Sequence, residues 1–253
     1  LEAAKTVLSE AAFREDIDSD PGRGVPKPKY EEKRRGAFTI EESRLILQYA
    51  EELTATDKSR ELGTHPRPRA RMLIELLFLG GLRSGEARAL RWKHVDLERR
   101  KFSIVEATKD AAGTIGPPKW DKRREGLAMP ELLAEALERW NEHLRGGRAS
   151  GSAFVDPDQF VLLNPDGGPV GRTWILKVFR RMLSHAAKHE KVELQQGDRW
   201  LTPHSARHSL NSHLLASRVP PLDVQQFLGW ESDAAKSLTR VQSGYTDFQL
   251  LDT

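Results

Sequence analysis

Apolar residues recur every three or four positions along most of the chain, and strict alternation with polar residues is confined to short stretches. This balance predicts a mainly α-helical protein with a small antiparallel β-sheet, an α+β fold. Ala3, Val7, Leu8, Ala11 and Ala12 mark a helix over Glu2 to Arg14. Thr39-Ile-Glu-Glu42 has the spacing of a capping box, so a second helix should run from there to about Leu53. The apolar run from Arg71 to Leu79 meets Gly80 and Gly81, which can take the positive φ of a helix end, and a further helix is expected from about Ser84 to Trp92.

Phe102, Ile104 and Glu106 alternate with Ser103 and Val105, and with Gly126 to Met129 they predict the two strands of the sheet. Pro130 opens a helix with Leu133, Leu137, Trp140 and Leu144 on one stripe. Phe160 to Leu163 reads as a short strand ahead of the turn Asn164-Pro-Asp-Gly-Gly, and Thr173 to Lys188 as a basic amphipathic helix. Thr202 and Pro203 form a helix start followed by Ala206, Leu210 and Leu214, and a last helix, Leu222 to Leu228, ends at Gly229.

Regular structure is interrupted between residues 18 and 36, where Pro, Gly and cations (Lys27 and Lys29 among them) predict a linker suited to lying along a polyanion. Residues 1–17 then read as the end of a preceding domain and 37–253 as the main one. The first residue is not Met and falls inside the first helix, so a piece of a longer protein is expected.

The 253 residues contain no cysteine, which excludes thiolate catalysis, disulfides and Cys-zinc sites. No apolar run reaches the roughly 18 to 20 residues of a membrane helix, and a cytoplasmic protein is expected. Forty Lys and Arg nearly balance 37 Asp and Glu, yet the cations cluster. Arg172, Lys177, Arg180, Arg181, Lys188 and Lys191 face one acid, Glu190; Lys119, Lys122, Arg123 and Arg124 face only Asp121. Such clusters suit a phosphate backbone or, equally, solvated helix faces.

Two arginines stand at expected helix starts, Arg83 and Arg207. A guanidinium donates two parallel hydrogen bonds and stays charged at any working pH, so it suits a phosphate. His204 shares a helix face with Arg207, and Glu86 with Arg83. His204 and His208, with His213 as a third candidate, have the spacing of a zinc pair, but Ser205 stands where the HExxH motif has Glu. The absence of cysteine leaves Ser, Thr, Tyr, Lys, Asp and Glu as nucleophiles, with no Gly-x-Ser-x-Gly elbow and no phosphate-binding glycine loop. Tyrosine attack on phosphorus is attractive where two arginines, a histidine and a lysine can jointly neutralise the phosphorane-like state.

In this order the motifs resemble the tyrosine recombinase, or phage integrase, family. They are Gly80-Gly-Leu-Arg83-Ser-Gly-Glu86-Ala-Arg-Ala-Leu90-Arg-Trp92, Pro118-Lys119-Trp-Asp-Lys-Arg-Arg124, Leu201-Thr-Pro-His204-Ser-Ala-Arg207-His208, Leu228-Gly-Trp230 and Tyr245. The likeness covers about residues 37 to 250. It implies that family's DNA breaking-rejoining catalytic fold, with residues 1–17 as the end of its core-binding domain. It further implies that Arg83 and Arg207 clamp the scissile phosphate, that Lys119 on a mobile hairpin protonates the 5′-oxygen, and that His204 handles a proton beside the attacking oxygen. Lys109 and Lys122 compete with Lys119.

Trp230 would occupy the position where many members carry a second His, and Tyr245 would be the nucleophile that forms a 3′-phosphotyrosyl bond. Glu86, Lys27, Lys29, Lys122, Arg123, Arg124, Arg172 and His208 would support DNA binding. The resemblance implies no cofactor and no metal, double-stranded DNA as partner, a homotetramer on two sites, and possible accessory DNA-bending proteins at the nucleoid. The interval from Trp230 to Tyr245 is longer than the family usually has. A type IB topoisomerase-like enzyme and a DNA-binding protein that has lost catalysis are the alternatives; a metal-dependent phosphoesterase ranks behind both.

Overall fold

The computed structural model describes residues 2–26, 36–55, 67–146, 155–190 and 201–230, and the chain divides into two units, Leu1–Arg34 and Arg35–Thr253. The smaller holds helix α1 (Glu2–Phe13) and a following loop in which the Gly22 N–H donates to Asp20 Oδ1 at 2.8 Å.

The larger unit begins with α2 (Ile40–Ala55), whose capping box is formed as its sequence predicts. Thr39 N–H donates to Glu42 Oε2 at 2.8 Å, and Glu42 N–H to Thr39 Oγ1 at 3.1 Å. Helix α3 (Arg67–Phe78) begins four residues ahead of its apolar run. Gly81 follows at φ +61°, and a Cβ there would lie 2.7 Å from Leu228 Cδ2 and 2.9 Å from Leu210 Cδ2, so the turn needs glycine on two counts.

Helix α4 (Ser84–Ala89) stops three residues short of the predicted end. Leu90 and Arg91 are extended because the backbone there bonds to another segment: Val161 N–H donates to Leu90 O at 2.8 Å and Trp92 N–H to Gln159 O at 3.1 Å. Trp92–His94 then makes one 3₁₀ turn. The strand predicted at Phe160 to Leu163 is accordingly two isolated bridges, Arg91 with Phe160 and Leu163 with Pro169.

Three antiparallel strands, β1 (Val95–Asp96), β2 (Lys101–Ile104) and a later β5 (Arg124–Ala128), form a sheet in the order β1-β2-β5. Phe102 pairs with Leu127 and Ile104 with Arg124, with a register irregularity between them. β3 (Ala107–Thr108) and β4 (Ile115–Gly116) make a separate two-stranded hairpin, and the alternation read as far as Glu106 is strand only to Ile104. The predicted helix after Pro130 is α5 (Glu131–Gly146), and the basic one is α6 (Arg172–Glu190).

The core lies where α2, α3, α5 and α6 meet. It contains Phe38, Ile46, Leu73, Leu77, Leu133, Leu137, Trp140, Phe179 and Met182. Each fully buried side chain of this size contributes roughly 1.5–3 kcal/mol. α6 buries Trp174, Ile175 and Val178 and leaves Arg172, Lys177, Arg180 and Lys188 exposed, so its basic face is a solvent face.

Helix α7 (Pro203–Ala216) packs against α2, α3 and α6, and against α8 (Pro221–Leu228), which makes it the element to which the site is attached. Among the described residues, no helix is long and apolar enough to cross a membrane.

Candidate active site

Glu86, 2% exposed, is the centre of a cluster of arginines contributed by the N-cap of α4, by β5 and by α7. Its position in the first turn of α4 lets the carboxylate reach back: Oε2 accepts the Arg83 backbone N–H at 2.9 Å, and Oε1 accepts Arg83 Nη1 at 2.7 Å. Arg124 Nη2 donates to Oε2 at 2.7 Å, and Arg207 Nη1 lies 3.8 Å from the same oxygen. Burial alone would raise the Glu86 pKa. The charges of Arg124, Arg207 and Arg83, with the Arg83 N–H, outweigh it and hold the carboxyl below its ordinary value.

Three guanidinium groups around one carboxylate leave a net charge of about +2 in this pocket. Arg83 is the most open of them, with its side chain 31% exposed. Arg207 is closed to solvent and donates to the Gly81 carbonyl at 2.6 Å. That bond ties α7 to the tight turn ahead of Arg83, so the two arginines expected to act together share one anchor.

His204 sits one turn ahead of Arg207's position on α7, partly exposed, with the His208 ring edge-on to it at 4.3 Å between centroids. Trp230 follows the left-handed cap of α8, and its ring centroid lies 5.7 Å from Arg207 Cζ. His204, Arg207 and Trp230 are thereby brought onto the Arg83–Glu86 cluster's side of the fold through Arg207. His213 is engaged elsewhere: its Nε2 faces the Phe38 carbonyl at 3.1 Å, which removes the third ligand considered for a zinc site. Among the described residues, no group of three His, Cys, Asp or Glu is arranged to hold a metal ion.

Lys119 lies on an exposed 3₁₀ turn, Lys119–Asp121, between the β3–β4 hairpin and β5. Lys109 directly follows Thr108, a residue packed so closely on α4 that a Cβ on Gly85 would fall 2.9 Å from the Thr108 carbonyl oxygen. The Lys109 ammonium donates to the Pro117 carbonyl across the hairpin. Lys122 and Arg123 line an open groove of about 580 Å³ together with Arg124, Gln225, Gln226 and Trp230.

Three of the residues expected to support DNA binding, Glu86, Arg124 and His208, are buried. Arg124 is 7% exposed and bound to Glu86, and His208 is 2% exposed, so all three act inside the protein. Tyr245, Lys27 and Lys29 lie outside the described residues.

Sequence reasoning missed Arg88. It is buried, with Nε donating to the Val170 carbonyl at 2.6 Å and Nη1 to Thr108 Oγ1 and the Asp110 carbonyl, each at 3.0 Å. It fixes the base of the hairpin to the helix that carries Arg83 and Glu86. Its position between Ala87 and Ala89, both buried, was the available signal.

The sequence model described as the phage integrase family matches residues 42–238. A tyrosine recombinase XerC from Halalkalibacterium halodurans is 27% identical over 184 residues, covering 73% of this chain and 52% of the relative. A XerD from the same organism is 28% identical over 252 residues, covering 99% and 71%.

The chain spans about half the length of the first curated relatives it matches. Among solved structures, a Tn1549 transposon integrase in complex with a circular intermediate DNA superposes with a TM-score of 0.65 at 21% identity, covering 95% of this chain and 71% of that one. XerH bound to a palindromic difH substrate in a post-cleavage complex gives 0.64 at 21% identity, covering 96% and 59%. At this level of identity these structures share the fold.

Proposed function

Since the chain belongs to the phage integrase family, we propose that it is the catalytic part of a site-specific DNA recombinase that cleaves and rejoins strands through a phosphotyrosyl bond. The observation that carries the reading is the convergence of Arg83 and Arg207 on Glu86, with His204 and Trp230 beside Arg207. Two fixed guanidinium groups are suited to the equatorial oxygens of a phosphorane-like state, where preorganised charge is worth most.

In the proposed step the Tyr245 phenolic oxygen bonds to phosphorus and the bond from phosphorus to the 5′-oxygen breaks. The phenol proton passes to His204, and the departing 5′-oxygen takes a proton from a hairpin lysine. Trp230 can donate its indole N–H to the phosphate but cannot accept a proton. The bond energy is held in the tyrosyl ester, so a second 5′-hydroxyl reverses the attack without ATP. Arg207 is closed to solvent in this structure, so engaging a phosphate requires it to be uncovered when DNA binds.

Lys119 is the leaving-group acid that the motif order suggests. A second assignment, Lys109, is favoured by the close packing of Thr108 on Gly85, which fixes that lysine's backbone relative to α4. Arg172 on the exposed face of α6, with Lys122 and Arg123 beside the groove, would take flanking phosphates.

Double-stranded DNA is the proposed partner, bound by a homotetramer on two sites, with accessory DNA-bending proteins where the site requires them. Residues 1–17 are proposed as the end of the core-binding domain, 18–36 as a basic linker and 37–253 as the catalytic domain.

The test uses the full-length protein and nicked duplexes made from its native flanking DNA, run on a denaturing gel with EDTA present. A slowly migrating DNA adduct in the wild type and none in Tyr245→Phe is expected. DNA binding without an adduct would reject catalysis, and adducts that never exchange strands between two labelled sites would point to a topoisomerase.

A further inference from the structure

We propose that Arg124 is a positioning residue for strand cleavage: by occupying one oxygen of Glu86, it keeps that carboxylate from capturing Arg207. The inference rests on the recombinase reading and concerns the same site. Arg124 is buried, and its guanidinium donates to Glu86 and to the Phe227 carbonyl. It acts through Glu86.

The argument begins with the two Glu86 oxygens. Oε1 is taken by Arg83 Nη1, while Oε2 receives the Arg83 N–H at 2.9 Å and Arg124 Nη2 at 2.7 Å. Arg207 Nη1 stands 3.8 Å from Oε2 and donates to the Gly81 carbonyl instead. A buried carboxylate that loses a charged donor recruits another, because an uncompensated charge there is costly. Beyond Arg83, which already holds Oε1, Arg207 is the next guanidinium, and a shift of about an ångström closes 3.8 Å to the 2.7 Å of a contact pair. That shift draws Arg207 toward the Glu86 side and away from the phosphate it is proposed to clamp.

Two further observations point to a built position. Arg124 Nη1 donates to the Phe227 carbonyl at 2.6 Å, so the same side chain links β5 to the end of α8 that presents Trp230. Gly229 lies at φ +62°, and a Cβ there would meet Arg124 Cδ at 2.6 Å and Nε at 2.8 Å. The path of the Arg124 stem is therefore left open by a glycine one residue before Trp230.

The experiment is a double-mutant cycle on the full-length protein with nicked native flanking duplex. It compares wild type, Arg124→Met, Glu86→Gln and the combined variant, with Arg124→Lys as the conservative replacement. Single-turnover adduct formation and DNA affinity are both measured, at a temperature where circular dichroism finds the variants folded. Arg124→Met is expected to slow adduct formation about tenfold or more with affinity changed less than about twofold, and Arg124→Lys to recover part of the rate.

In the Glu86→Gln background there is no carboxylate to neutralise, so adding Arg124→Met should cost less than about threefold. A cost as large there as in the wild type would mean that Arg124 only supports the fold, and would overturn the proposal. An unchanged rate in Arg124→Met would overturn it too, while leaving the recombinase reading intact. A wild type that binds the DNA without forming an adduct removes that reading, and this one with it. Should Arg124→Met not fold, the Arg124→Lys rates in the two backgrounds decide the matter by the same comparison.

Discussion

Ser209 Oγ accepts the backbone N–H of Phe38 at 2.7 Å, joining the entry of the larger unit to the middle of α7 across 171 residues of sequence. The same hydroxyl donates to the Ser205 carbonyl at 2.8 Å, so its hydrogen-bonding is used in both senses. Ser209→Ala leaves the buried Phe38 N–H without its acceptor. The variant should lose about 1–3 kcal/mol of stability, read from urea unfolding. A loss under about 0.5 kcal/mol would mean that the Phe38 N–H finds another acceptor.

Glu86 couples the arginine cluster to pH. Its folded pKa lies below the ordinary 4.5, so it contributes stability that is complete above pH 4.5 and is lost as pH falls through the lowered folded value. Glu86→Gln should cost about 3–5 kcal/mol near pH 7, where three guanidinium groups lose their shared carboxylate. The gap between wild type and variant should narrow in unfolding titrations carried from pH 6 toward pH 3. A gap constant across that range would show that Glu86 acts through shape and not charge.

Much of this fold was legible because it is local. The α5 stripe, the Thr39–Glu42 box and the Gly81 and Gly229 turns depend on residues a few positions apart, and the structure has them as the spacing requires. The early end of α4 and the loss of the strand at Phe160 to Leu163 depend on pairing between segments about 70 residues apart, which periodicity does not register. For the site, Arg83 with Glu86 was readable from their i,i+3 spacing. Arg124 was read as a surface cation because its partners, Glu86 and Phe227, are 38 and 103 residues away. Tyr245 rests on motif order alone, since it falls outside the described residues.

His213 gives a second pH dependence with a different origin. Burial lowers its pKa most, opposed by the Phe38 carbonyl that accepts from it and by Glu41. A histidine whose folded pKa lies below the ordinary 6.5 is favoured neutral in the fold, so stability is complete above pH 6.5 and declines as pH falls below it. His94, lowered by burial and by Lys93 and Arg91 against Glu106 and Asp158, works in the same direction. His213→Gln retains an amide donor for the Phe38 carbonyl and should flatten part of the decline between pH 7 and 5 in melting temperature. An unaltered decline would assign the whole effect to His94 and the carboxylates.

The identity of the leaving-group acid can be decided by chemistry that bypasses it. A DNA whose scissile 5′-oxygen is replaced by sulfur leaves as a thiolate, with a pKa near 8.5, and needs no proton. Removing a general acid costs about 10²–10⁴ in rate on the oxygen substrate and little on the sulfur one, whereas removing a phosphate contact harms both alike.

Thr108 packs on the first turn of α4 and is bound by Arg88, so Lys109 has the backbone held close to Arg83's own helix. Lys119 stands on an exposed turn in which the Asp121 N–H donates to the Pro118 carbonyl. The expected result is therefore that Lys109→Ala is slow on oxygen and rescued by sulfur, with Lys119→Ala losing at most about tenfold on both. The reverse pattern would return the acid to Lys119, and would require the turn at residues 119–121 to fold over the site when DNA binds.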